Sequence, residues 1–79
     1  MNIKNDIAVS DNGFIFNPST GDSYSLNPTG QEIVQMMKSG ETEERIIEKL
    51  LAEYRTEHAT IEKDLHDFKN MLKTYKIAE

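Results

Sequence analysis

The stretch from Phe14 to Gly30, FIFNPSTGDSYSLNPTG, constrains the fold more than any other part of the chain. Phe14, Ile15 and Phe16 make a short β-prone run, closed by Asn17-Pro18-Ser19-Thr20-Gly21. That pentapeptide suits a type I turn. Asn takes the first position, Pro with its fixed φ the second, and Gly is available for the left-handed residue before the next strand. Asp22–Leu26 reads as the return strand, with Tyr24 and Leu26 two apart and so on one face. Asn27-Pro28-Thr29-Gly30 then ends it, because Pro28 cannot donate to a ladder but suits the first turn of a helix. A hairpin therefore feeds a helix with almost no linker.

Upstream, Ile7 and Val9 alternate, with Ile3 as an earlier member, and Ser10-Asp11-Asn12-Gly13 closes the segment as a turn. The pattern predicts strands over about residues 6–10, 13–17 and 22–26. Downstream it turns helical. The first helix, about 28–38, has two possible starts: Asn27 as N-cap, or Thr29 with Glu32 as a capping box. Ile33, Met36 and Met37 form its stripe, and Ser39-Gly40 ends it. The second, about 42–54, is capped by Thr42, carries Glu43 and Glu44 at the positive end of its dipole, and lines Ile46, Ile47, Leu50, Leu51 and Tyr54 along one face. The third, about 58–75, repeats Ile61, Leu65, Phe68 and Leu72, widened by Met71 and Tyr75. Lys73 and Lys76 sit at its negative end, and Ile77 folds back as a last core residue. Three antiparallel strands followed by three helices read as a single α+β domain with a winged helix-turn-helix outline.

Size and charge narrow the function. A chain of 79 residues buries only roughly 60% of its unfolded surface, so stability is modest. With no cysteine there is no disulfide, no thiolate metal site and no Cys nucleophile. His58 and His66 are eight apart, whereas chelation from one helix wants i, i+4, and no carboxylate completes a site. There is no nucleophile motif and no glycine-rich phosphate loop, so no catalytic residue, metal or cofactor is expected. The first residues lack the apolar core of a signal peptide and no run approaches the ~20 apolar residues of a membrane span, which predicts a cytoplasmic protein. A net charge of −5 counts against non-specific nucleic-acid binding.

The run GFIFNPSTGDSYSLNPTG, Gly40-x-Thr42, the face from Ile46 to Tyr54, and Asp64-Leu65-x-x-Phe68-x-x-x-Leu72 together resemble the PqqD-like family, over roughly Ile7 to Ile77. These are recognition elements for the leader peptides of ribosomally made, post-translationally modified peptides. The most specific part is Tyr24-x-Leu26-Asn27-Pro28-Thr29-Gly30. Lys76 stands where the family usually has glycine after the third helix, and Val34 where a larger residue is common. The resemblance implies a non-catalytic peptide chaperone whose third strand accepts the leader as a fourth strand, beside the third helix. The precursor is then presented to a modifying enzyme, such as a radical SAM enzyme or a leader protease. Ser23, Tyr24, Ser25 and Leu26 become the peptide-binding edge, and Asp64, Leu65, Phe68, Met71 and Leu72 the groove wall. Edge chemistry agrees: Ser23–Leu26 holds no Lys or Pro to block pairing.

Two other readings compete. A winged-helix DNA-binding regulator would use the third helix for base readout, yet its outer side offers Glu62, Lys63, Asp67, Lys69, Asn70 and Lys73, with no Arg. A structural or oligomerisation domain is also compatible with the pattern.

Overall fold

The computed structural model describes residues 2–79. Its elements run β1 (Ala8–Val9), β2 (Phe14–Asn17), β3 (Asp22–Ser25), α1 (Pro28–Lys38), α2 (Glu43–Glu53) and α3 (His58–Thr74). The strands form one antiparallel sheet in the order β1-β2-β3. The architecture is α+β, sheet first and helices after, and is compatible with a winged-helix outline.

The β2–β3 connection follows its turn chemistry. Gly21 lies in the left-handed region at φ +77, and its N–H donates to the Asn17 carbonyl at 2.8 Å. Gly21 is the left-handed last residue of a four-residue hairpin loop between the paired Asn17 and Asp22. β1 is shorter than the alternation predicts. The chain turns at Asn5-Asp6, with Ile7 N–H donating to the Lys4 carbonyl at 3.2 Å. Ile3 instead bridges Ala78 at the far end of the chain. The β1 edge therefore offers only two residues.

The starts of α1 and α2 are set by side-chain caps, whereas Glu57 before α3 makes none. Asn27 accepts from the Gly30 N–H at 2.8 Å, which makes it the N-cap of α1 in preference to Thr29. Thr42 accepts from the Arg45 N–H at 3.2 Å at the start of α2. Tyr54 leaves α2 in extended conformation, so the α2–α3 connection needs no glycine.

The core is aliphatic: Ile7 and Ile15 from the sheet region, Val34, Ile46, Leu65 and Leu72 from the helices, and Ile77 after them. Among the described residues one polar side chain is buried with them, Asn17. Its Nδ2 donates to the Lys76 carbonyl at 3.2 Å and its Oδ1 accepts from the Ser19 N–H at 3.0 Å. Lys76 is the one non-glycine residue with positive φ, +60, among the described residues. Asn17 thus fastens the hairpin turn to the left-handed turn after α3. That link fixes the spacing of β3 and α3, between which the site lies.

Candidate functional site

β3 has one neighbour and one free side. Leu26 N–H donates to the Gly13 carbonyl at 2.7 Å, continuing the register in which Tyr24 faces Ile15 and Ser25 faces Phe14. In an antiparallel pair the residues that exchange bonds alternate with those that do not. The backbone groups of Tyr24 and Leu26 therefore point toward β2, while those of Ser23 and Ser25 point to the open edge. Two donors and two acceptors are presented there. The side chains beside them are small and uncharged, so an extended chain can approach.

An open cleft of about 570 Å³ lies along this edge. Ser25 and Leu26 line one side; Asp64, Leu65, Phe68 and Met71 of α3 line the other. Gly30 and Ile33 of α1, and Leu50 and Tyr54 at the end of α2, complete the apolar part. Gly30 is there for contact. A Cβ at that position would lie 3.2 Å from Phe68 Cε1 and 3.2 Å from Asn27 Oδ1, so glycine lets the Phe68 ring lie close on the helix start. The hydroxyls of Thr29 and Tyr54 are hydrogen-bonded at 2.9 Å, tying the start of α1 to the end of α2 along the same lining. Asp64 is the single charged residue of the lining.

Tyr24 of β3 packs on Tyr75 at the end of α3. Their ring centroids are 4.7 Å apart with planes tilted by 36°. Partial burial, then the charge of the Asp22 carboxylate and of the neighbouring Tyr75 phenol group, raise the Tyr24 phenol above its ordinary pKa. Its hydroxyl donates to Asp22 Oδ2 at 3.5 Å.

Most of the residues expected from sequence converge here. Ser25, Leu26, Asp64, Leu65, Phe68 and Met71 line the cleft, and Ser23 and Tyr24 lie on the adjoining edge strand. Leu72 does not. It is fully buried and belongs to the core, because one step beyond Met71 turns a helical side chain by about 100°. Sequence reasoning missed Gly30, Tyr54 and Tyr75 as members of the site. A glycine inside a helix costs about 1 kcal/mol relative to Ala, and that expense at Gly30 was the available signal of a close approach.

Two of the three lysines on the outer side of α3 are ion-paired, one of them to α2. Lys69 Nζ meets Glu43 Oε2 at 2.8 Å and Lys63 pairs with Asp67 at 3.4 Å. That leaves little unpaired positive charge for a nucleic-acid backbone. Among the described residues no three His, Asp or Glu side chains cluster as metal ligands, and no helix is long and apolar enough to cross a membrane.

Fold and cleft together define a small α+β domain in which the open β3 edge is backed by an apolar groove. The sequence matches the family of coenzyme PQQ synthesis protein D (PqqD) over residues 13–77, and the chain belongs to that family. Two solved structures resemble it throughout. One is TbiB1 in complex with the TbiA(beta) leader peptide, at 28% identity and TM-score 0.90, covering 100% of this chain and 95% of that one. The other is lasso peptide synthetase B1 complexed with the leader peptide, at 26% identity and TM-score 0.86, covering 98% and 94%. The comparison with curated proteins gave no match.

Proposed function

We propose that this chain is a non-catalytic peptide chaperone: it holds the leader of a ribosomally made precursor by strand addition at β3 and presents the remainder to a separate modifying enzyme. The carrying observation is the unpaired backbone of Ser23 and Ser25 directly beside an apolar cleft. Main-chain pairing gives such an edge affinity for any extended peptide, and pockets for alternate side chains give selectivity. Leu26, Phe68 and Met71 take apolar leader side chains, and Asp64 suits a Lys or Arg placed opposite it. The two similar structures, both solved with leader peptides, support this reading. The consuming enzyme is of the radical SAM or leader-protease kind, and the setting is the cytoplasm, where precursor peptides are made.

The test is a titration with the leader peptide encoded beside this chain's gene, following backbone amide shifts. Ser23–Leu26 and the cleft side of α3 shift; if they stay still while other residues move, the site is elsewhere. Ser25→Pro removes one of the two free edge donors without breaking a bond to β2. It keeps the fold and weakens leader binding by about tenfold or more, since a net hydrogen bond is worth about 0.5–1.5 kcal/mol and the proline ring also obstructs pairing. Unchanged affinity in the folded variant rejects strand addition at β3.

A further inference from the structure

The groove beside β3 is not uniform along its length. Two side chains project from β3 toward the helices: Tyr24, which faces the completely buried Ile15, and Leu26 two residues on. At Leu26 the groove is the open cleft of about 570 Å³, whose lining includes neither Tyr24 nor Tyr75. At Tyr24 an aromatic ring already occupies the space. Tyr75 packs on Tyr24 with ring centroids 4.7 Å apart, inside the ~4.5–7 Å range that favours such pairs. Tyr75 nevertheless stays 43% exposed. Ile15 fills the β2 side of Tyr24, so a ring this exposed contacts Tyr24 from the side of α3 and the open edge.

We propose that Tyr75 is a specificity-determining residue: it restricts the leader residue opposite Tyr24 to a small side chain, Gly, Ala or Ser, while the position opposite Leu26 takes a large apolar one. The proposal rests on the leader-binding reading above. Antiparallel addition continues the pattern of this sheet. Because the backbone groups of Tyr24 face β2, the leader residue opposite it falls in a non-hydrogen-bonded pair. That is the closer kind, with Cα atoms ~4.5 Å apart. Its side chain stands on the same face as Tyr24, with the two Cβ atoms ~4.5–5.5 Å apart. A methyl group fits there; a branched or aromatic side chain meets the Tyr75 ring.

The backbone of Tyr75 cannot retreat to make room. Its N–H donates to the Met71 carbonyl at 3.0 Å, and the carbonyl of the next residue, Lys76, accepts from Asn17. Ile77 and Ala78 are buried directly after it. A large leader side chain therefore has to rotate Tyr75 off Tyr24 and forfeit the aromatic contact, a loss equivalent to about two- to tenfold in binding. Such a device works by rejecting wrong peptides and adds nothing to the affinity of the right one. Edge pairing accepts any extended chain, and the cleft accepts any large apolar side chain, so each alone discriminates weakly. A small residue required two positions from a large one turns the groove into a ruler for a spaced pair.

The experiment uses the full chain and the synthetic leader peptide encoded beside its gene, each residue of the paired segment being replaced in turn by Ala and by Leu. Calorimetry on the wild type finds one position where the Leu peptide binds about fivefold or more weaker than the Ala peptide. Two residues away, at the position facing Leu26, the Leu peptide binds better. Tyr75→Ala brings the two peptides within about twofold of each other at the first position and leaves the second unchanged. Tyr75→Phe, which keeps the ring, preserves the discrimination. Tyr75 lies outside the core, and Tyr75→Ser gives the same relief should the alanine variant fold poorly. If Leu weakens binding at no position, or if Tyr75→Ala leaves the discrimination intact, the filter is overturned and leader binding stands. A large residue that binds tighter than Ala there, and loses that advantage in Tyr75→Ala, makes the ring a platform and equally overturns the filter. A wild type that does not bind the leader overturns the leader-binding reading as well.

Discussion

The interior of this domain and its working surfaces are built from different side chains. Every buried hydrophobic residue is aliphatic or methionine, whereas none of the three phenylalanines and three tyrosines is buried. Phe68 and Tyr54 line the cleft, Tyr24 and Tyr75 pack on each other between β3 and the end of α3, and Phe14 and Phe16 stand exposed on the outer sheet face. Aromatic rings supply large contact area at low conformational cost and recur as interface anchors. Tyr24 and Phe68 are half-buried against the core, and the other four are exposed. Stability rests chiefly on Ile, Leu and Val; on the proposed leader-binding reading recognition falls to Phe and Tyr, and substitutions then move one without the other.

The sharpest way to break that division lies on α3, where Phe68 and Leu72 are one turn apart. Leu72 has no exposed surface, so Leu72→Ala removes transfer energy and leaves a cavity, costing about 2–5 kcal/mol in urea unfolding. That is a large share of the ~5–15 kcal/mol such a domain has in total. Phe68 is half-buried, and Phe68→Ala costs about 1–2 kcal/mol of stability, a fraction of what complete burial is worth. Its larger effect is on the leader: loss of a central aromatic anchor weakens binding by roughly thirtyfold, or about 2 kcal/mol. Equal destabilisation by the two substitutions, with leader affinity intact in Phe68→Ala, collapses the distinction between core and rim.

The polar exception inside the core gives a second test. Asn17→Ala leaves the Lys76 carbonyl without its side-chain donor and costs about 1–3 kcal/mol. Because Asn17 holds the hairpin against the end of α3, the same variant loosens the Tyr24–Tyr75 stack, which near-UV circular dichroism reports. A loss of stability with an unchanged near-UV spectrum confines Asn17 to the turn.

What was legible in the sequence was local. The turn at Asn17–Gly21, the cap Thr42 and the stripes of all three helices follow from neighbouring residues, while the choice of Asn27 over Thr29 as the cap of α1 came from the structure; the short hairpin connections give the sheet order and so the free edge of β3. The rest depended on distant partners. Ile3 and Ala78 pair from opposite ends of the chain, which shortens β1 in a way no local alternation reveals. Phe-Ile-Phe is apolar throughout, so only cross-strand register distinguishes the buried Ile15 from the two exposed rings. Met71 and Leu72 belong to the same apolar run, and the helix's rotation against its neighbours decides which faces the cleft.

The smallest effect tests a residue that touches neither region directly. Lys76 sits at φ +60, where a side chain crowds the backbone at roughly 1–2 kcal/mol. Glycine adopts that conformation freely but gives up to ~1 kcal/mol back to the unfolded chain's entropy. The difference favours Lys76→Gly by about 0.5–1 kcal/mol, a rise in Tm of about 4 °C for a domain of this size. The carbonyl that accepts from Asn17 is backbone, so the substitution preserves it. The Lys76 side chain is exposed and absent from the cleft lining, so leader affinity stays unchanged while stability rises. A fall in Tm means that the lysine side chain stabilises the end of α3 by more than its backbone strain costs. A change in leader affinity instead means that the turn after α3 sets the width of the cleft, and that core and rim are coupled through Asn17.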